Sequence, residues 1–306
     1  MEVIIPGRLA GDMAVWQQIE EALSRALGEP FTARERRPLG GGCINEAFRV
    51  QGRDRTLFIK LNSADGLEMF SAEAAGLAAI LASASVRAPR PIAWGIAGGR
   101  SWLALEFIAF APSRADSSAL LGEQLAAMHR CTAQAFGWER DNTIGASPQC
   151  NTWTQDWAVF FRDQRIGRQL QLAREGGLAG DTLERLLHLQ EAIPRLLDGH
   201  RPQPSLLHGD LWAGNWATTG DGCPVIFDPA VYYGDREADL AMTELFGGFD
   251  SSFYRAYRGA WPLQPGYATR KRLYNLYHVL NHFNLFGGSY ASQARTLADR
   301  LLGELR

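Results

Sequence analysis

One octet constrains this chain more than any other stretch: His208-Gly209-Asp210-Leu211-Trp212-Ala213-Gly214-Asn215. It follows the apolar run Ser205-Leu206-Leu207 and leads, past Gly220-Asp221-Gly222, into Pro224-Val225-Ile226-Phe227-Asp228. A strand, a polar loop and a second strand ending in a carboxylate gather three oxygen-bearing side chains at one end of a hairpin. Magnesium prefers hard oxygen ligands and bridges phosphates, and a hydroxyl attacking phosphorus needs a carboxylate to take its proton. Asp210 is the candidate base. Asn215, five residues on, and Asp228 are the candidate metal ligands. The plainer alternative is a polar hairpin whose Asp and Asn only make turn hydrogen bonds.

The N-terminal third supplies parts that complete such a site. Gly40-Gly41-Gly42-Cys43-Ile44-Asn45 joins two predicted strands, and the bare backbone there can approach phosphate oxygens, which nominates Gly41, Gly42 and Asn45. Lys60 interrupts the alternating strand Leu57-Phe58-Ile59-Lys60-Leu61, and a carboxylate on the next helix could aim it at phosphates. Glu73 is the expected partner, with Glu68 its competitor. The strand Leu103–Ile108 supplies a backbone hinge for adenine at Glu106, Phe107 and Ile108. Taken singly, each is ordinary: a chain-reversing turn, an edge lysine, a solvated helix carboxylate. Their order and spacing match the His-x-Asp-x-x-x-x-Asn loop, metal-binding Asp, strand Lys and helix Glu of protein kinases.

Periodicity predicts a helix over 12–28, strands ending before Pro38 and over 44–50 and 56–61, a helix over 66–84, and strands over 92–96 and 102–107. Beyond the break Ala111-Pro112-Ser113, helical spacing recurs near 116–131, 153–174, 181–198, 236–246, 250–260, 269–286 and 290–304. The expected fold is α+β and protein-kinase-like: a small β-rich N-lobe (1–110) that binds ATP, and a larger helical C-lobe (111–306) for catalysis and substrate.

Composition removes several alternatives. With 31 basic and 33 acidic residues and a formal charge of −2, neither nucleic acid nor an anionic membrane is an expected partner. No apolar run approaches the ~20 residues of a membrane helix. Cys43, Cys131, Cys150 and Cys223 are far apart and form no Cys-x-x-Cys pair, which fits neither zinc nor a disulfide framework. Met-Glu-Val-Ile-Ile-Pro lacks the basic start and apolar core of a secretion signal, so the expected location is cytoplasmic. Cys43, directly after three glycines in a turn facing positive charge, is a candidate redox-sensitive thiol. A small tolerated residue is the plainer reading.

The chain also resembles the fructosamine/ketosamine-3-kinases, relatives of aminoglycoside and choline kinases. The resemblance rests on Gly41–Asn45, Gly137–Gly145, Pro148–Trp153, the octet, Asp228–Met242, Leu273–His278 and Asn281–Gly287. Ala213 departs from the Ser of many members. The resemblance implies ATP and Mg²⁺ as cofactors, Asp210 as proton acceptor, Asn215 and Asp228 as metal ligands, and Lys60 with the 106–108 hinge on ATP. It implies phosphorylation of the 3-hydroxyl of ketosamines, free or protein-bound, in deglycation repair. Trp212 and Tyr232 offer ring faces to a sugar, and Asp235 a carboxylate to its cationic amine, unless the rings are core and Asp235 pairs with Arg236. Asp239 and His208 are expected to brace the loop. The alternatives are a kinase of another hydroxylated amine, such as an aminoglycoside or choline, and a nucleotide-binding pseudokinase.

Overall fold

A computed structural model describes residues 6–40, 44–114 and 116–305. The chain opens with α1 (Pro6–Leu27), then β1 (Glu35–Leu39), β2 (Glu46–Gln51), β3 (Thr56–Ser63), α2 (Leu67–Ala82), β4 (Pro91–Ala97) and β5 (Arg100–Glu106). The five strands form one antiparallel sheet in the order β1-β2-β3-β5-β4. Strand alternation sends Leu57, Ile59 and Leu61 to one face, where they pack under Val15, Trp16, Ile19 and Leu23 of α1. The other face carries Lys60 beside Leu103 and looks into the cleft. The predicted stop before Pro38 is wrong: β1 runs through Pro38, paired with Phe48. As an edge strand it tolerates a residue without an N–H.

The C-lobe comprises β6 (Phe110–Ala111), α3 (Ser117–His129), β7 (Asn142–Ile144), β8 (Ser147–Gln149), α4 (Trp157–Phe160), α5 (Arg168–Glu175), α6 (Gly180–Leu196), β9 (Ser205–Leu207), β10 (Trp216–Thr219), β11 (Pro224–Ile226), β12 (Tyr232–Gly234), α7 (Glu237–Leu245), α8 (Ser251–Ala260), α9 (Tyr267–Phe286) and α10 (Tyr290–Gly303). The helix predicted from 153 starts at Trp157, where Asp156 caps it by accepting from Val159 N–H, and a π-helical stretch (Phe161–Gly167) joins α4 to α5. The β7–β8 hairpin and β12 have no counterpart in the sequence reading; all three are three-residue strands, too short for a periodic signal. Phe70, Ala74, Leu77 and Ile80 of α2 belong to the large C-lobe core, so this helix bridges the lobes. Among the described residues no helix is long and apolar enough to cross a membrane.

Candidate active site

Lys60 is only 5% exposed, and its Nζ lies 2.7 Å from Glu73 Oε1 and 2.7 Å from Asp228 Oδ1. Burial alone would lower its pKa, but the carboxylates of Asp228 and Glu73 outweigh it and raise it well above the usual lysine value. Glu68 is no rival: it points outward, 3.0 Å from Arg140. The sequence left this choice open, because two carboxylates five residues apart on a helix both suit a strand lysine until the helix is docked.

The octet is held from behind. The Asp239 carboxylate accepts from His208 N–H (2.7 Å) and Gly209 N–H (2.9 Å), and lies 3.1 Å from His129 Nε2. Burial pushes this carboxyl up, yet the bond with His129 and the charges of His129 and His208 hold it below the usual range. His208 donates through Nε2 to the Phe227 carbonyl at 3.0 Å, tying the loop to the strand that carries Asp228. Burial lowers the His208 pKa, against the opposing pull of the Asp239 charge, and its place in the loop is that of a brace. Gly209 has φ +81°, and a Cβ there would sit 2.1 Å from the Ala230 carbonyl oxygen, so only glycine fits.

Asn215 donates from Nδ2 to the Asp210 carbonyl (2.8 Å) and, at 3.4 Å, reaches its carboxylate. Its own carbonyl accepts from Phe227 N–H at 3.0 Å. These bonds hold the Asn215 side chain against Asp210 and its backbone against the strand that leads to Asp228. Burial, with the charges of Asp228 and Asp239 adding to it, pushes the Asp210 carboxyl up to about 7, inside the range a proton acceptor needs near neutrality. Asp228 adopts φ +56°, a left-handed conformation uncommon outside glycine and costing ~1–3 kcal/mol where it is held. The donor set, one amide oxygen and one carboxylate, is hard oxygen throughout and fits magnesium.

Of the other nominated residues, Asn45 accepts from Asn62 Nδ2 at 2.7 Å. Gly41, Gly42 and Cys43 lie outside the described residues. The Glu106 carboxylate pairs with Arg87 at 3.2 Å and its N–H donates to the Arg90 carbonyl at 2.8 Å; Phe107 and Ile108 follow it out of β5. Trp212 is 41% exposed and its ring covers Gly214, where a Cβ would come within 2.3 Å of it. Gly214 therefore keeps the ring flat on the loop, a role no motif announces.

Two nominations need correction. Tyr232 is buried, with the Arg165 guanidinium 3.9 Å above its ring and Phe160 stacked at 5.9 Å, so its faces are not open to a sugar. Its neighbour Tyr233 takes the outward side of β12. Asp235 is buried too, and Arg236 turns to Tyr257, Trp261 and Pro262 instead of to it. It bonds His200 Nε2 at 2.6 Å and Tyr274 Oη at 2.5 Å. His200, Asp235 and Glu237 bring ligand atoms within 4.8 Å of one another, but Arg270 already holds Glu237 at 2.7 Å and 3.0 Å, so this cluster is a closed ionic network. Phe110, 54% exposed and two residues past Ile108, stacks on Phe227 at 5.2 Å; the sequence reading missed this shelf, whose two rings are 117 positions apart.

A fructosamine kinase family model matches residues 15–304. A "Probable ketoamine kinase" of Synechocystis is 49% identical over 290 residues, covering 94% of this chain and 97% of that protein. A chloroplastic protein-ribulosamine 3-kinase of Arabidopsis thaliana is 44% identical over 271 residues, 88% of this chain and 82% of that one. The solved structure of a candidate fructosamine-3-kinase from Haemophilus somnus superposes with a TM-score of 0.89 at 31% identity, covering 96% of this chain and 99% of the other. An aminoglycoside phosphotransferase solved with ADP and hygromycin B shares the fold, with a TM-score of 0.65 at 16% identity over 94% of this chain and 98% of that one. A kinase-like fold and a family match along nearly the whole length converge: this chain is a hydroxyl-directed phosphotransferase and belongs to the fructosamine kinase family.

Proposed function

We propose that this protein transfers the γ-phosphate of ATP to the 3-hydroxyl of a ketosamine, carried by a free amine or a protein lysine, in deglycation repair. The observation that carries the acceptor assignment is the exposed Trp212 ring, pinned over Gly214 two residues from Asp210. A flat aromatic face beside the base suits the C–H side of a sugar. The relatives named ketoamine kinase and protein-ribulosamine 3-kinase support the same acceptor class.

In this reading Asp210 accepts the proton of the acceptor hydroxyl as its oxygen bonds to the γ-phosphorus and the bond to ADP breaks. Lys60, held by Glu73, offsets charge on the α- and β-phosphates, and the Phe110–Phe227 shelf supports the base below the 106–108 hinge. Asn215 and Asp228 would hold Mg²⁺, which supplies charge neutralisation across the phosphates. A phosphate on carbon 3 leaves far more readily than a hydroxyl; its elimination, with loss of a proton from the adduct, leaves an imine that water hydrolyses to free the amine.

The test is ADP release with ribulosamine, erythrulosamine and fructosamine derivatives of lysine, beside an aminoglycoside and choline. Turnover confined to the ketosamines is the expected result. Preference for the aminoglycoside or choline would overturn the acceptor assignment, and nucleotide binding with no phosphotransfer to any acceptor would make the chain a pseudokinase.

A further inference from the structure

The runs Gly137–Gly145 and Pro148–Trp153 mark the family pattern, yet none of their side chains belongs to the site described above. Their contacts give them a different task. The segment is fastened to the C-lobe where Gly137 exchanges two backbone hydrogen bonds with Tyr233, at 2.9 and 2.8 Å. Further along, Asn142 donates to the Val231 carbonyl at 2.8 Å, and Gln149 donates to the Ala230 carbonyl at 3.2 Å. Asn142 is nearly buried, and its side-chain oxygen accepts from both Gln149 (2.8 Å) and Asn151 (2.9 Å). Asn151 is in turn held by Arg165 at 2.7 Å.

The same segment reaches the N-lobe. Arg140 donates to Ser71 Oγ at 3.0 Å and to Glu68 at 3.0 Å. Both lie on α2, the helix that carries Glu73. One turn beyond Glu73, Gly76 meets the stretch that the hairpin grips from its other side: a Cβ at 76 would lie 3.1 Å from Val231 Cγ2 and 3.6 Å from Pro229 Cγ. Residues 229–231, immediately after Asp228, are therefore caught between α2 and the 137–151 segment.

We propose that residues 137–151 are a positioning clamp that keeps α2 seated on Pro229–Val231, so that Glu73, Lys60 and Asp228 stay in one charged cluster. The clamp rests on the kinase reading of that cluster, and on the ketosamine reading only for the acceptor used in the assay. The Lys60–Glu73 pair is nearly dry, and such a pair weakens steeply with separation and with water entry. A helix tied down only at its ends would let the pair open. Arg140 ties its first turns through Ser71 and Glu68, and Asn142 supports its middle, at Gly76, through the segment beneath it. Arg140–Glu68 is a solvent-facing ion pair and contributes little; the bonds to Ser71 and Val231 carry the effect.

The experiment is a set of kinetic cycles well below the melting temperature: Asn142→Ala and Arg140→Ala, each alone and combined with Glu73→Gln. Asn142→Ala is expected to lower kcat about tenfold, with Glu73→Gln then costing about twofold or less beyond it, although alone it costs about tenfold. Arg140→Ala should show the same non-additivity at about threefold, with part of the loss recovered in Arg140→Lys. The Arg140 series decides the matter if Asn142→Ala does not fold. Losses that simply multiply in both backgrounds would overturn the clamp, as would a lower Tm with kcat and the Glu73 effect unchanged. If the wild type turns over no ketosamine, the acceptor reading fails while the same cycles, read on MgADP affinity, still test the clamp.

Discussion

The molecule has two interiors built on different terms. Above the sheet, Val15, Trp16, Ile19 and Leu23 pack on Val50, Leu57, Ile59, Leu61 and Trp102, an apolar contact with many interchangeable neighbours. Below the cleft, the core is threaded with buried polar side chains: Asn142, Gln149, Asn151, Arg165, His208, Asp235 and Asp239. In the first region free energy follows buried volume, and a lost methylene costs stability without redirecting anything. In the second, each of these side chains has at least one named partner, and deleting one strands the other in low dielectric. The lesson is that stability and chemistry are separable here, since the groups that place Asp210 are not the ones that hold the N-lobe together.

The sharpest break of that contrast is Asp210→Asn. Turnover should fall by about 10²–10⁴-fold, the range for a lost proton acceptor. ATP affinity and Tm should stay near wild type, because Lys60 and the hinge are untouched. Retention of more than about a tenth of the wild-type rate, a barrier change of roughly 1.4 kcal/mol, would remove Asp210 from the role of essential base.

Next in size is the Lys60 cluster. Lys60→Met should cost more than Glu73→Gln, and the double variant little more than Lys60→Met alone, because the two share one ion pair. Glu68→Gln serves as the control and should be silent, since Glu68 faces solvent. A full effect at Glu68, or additive losses at 60 and 73, would contradict the geometry.

Leu23→Ala probes the other interior. Leu23 is fully buried, so the variant should lose ~2–5 kcal/mol of unfolding free energy while kcat at a temperature far below Tm is unchanged. Chemical denaturation and initial rates on the same preparation check both halves; a large fall in kcat would show that the two regions are not separable.

The smallest effect is expected at Trp212. Trp212→Ala should raise the acceptor KM by a few-fold, with ATP KM constant and Trp212→Phe falling between, as suits an aromatic contact worth ~1 kcal/mol. A change in ATP KM of the same size would mean that the ring shapes the nucleotide site instead.

The site was unevenly legible. Asp210, Asn215 and Asp228 come from a short hairpin whose turn residues and flanking apolar runs set its geometry locally, so spacing alone placed them. The brace from Asp239 was also readable, because α7 begins only a short way along the chain from Asp228. Phe110 and Phe227 were not, since neither ring carries a sign that the other lies beneath it. The β7–β8 hairpin was invisible for a similar reason: its strands are too short to show a period, and its shape depends on Val231 and Ala230 carbonyls supplied from another part of the chain.

By itself the sequence determined the spacing of Asp210, Asn215 and Asp228 along one loop and strand, the bilobal α+β order of elements and the family, because these rest on local spacing and on long matched runs. Tertiary structure alone decided between Glu73 and Glu68, since only the docked helix brings one of them to Lys60. It alone joined Lys60 to Asp228 across 168 residues. It also decided which of Tyr232 and Tyr233 is open. Successive residues of a strand face opposite ways, and pairing β12 with β9 fixes which face meets the Arg165 side of the core.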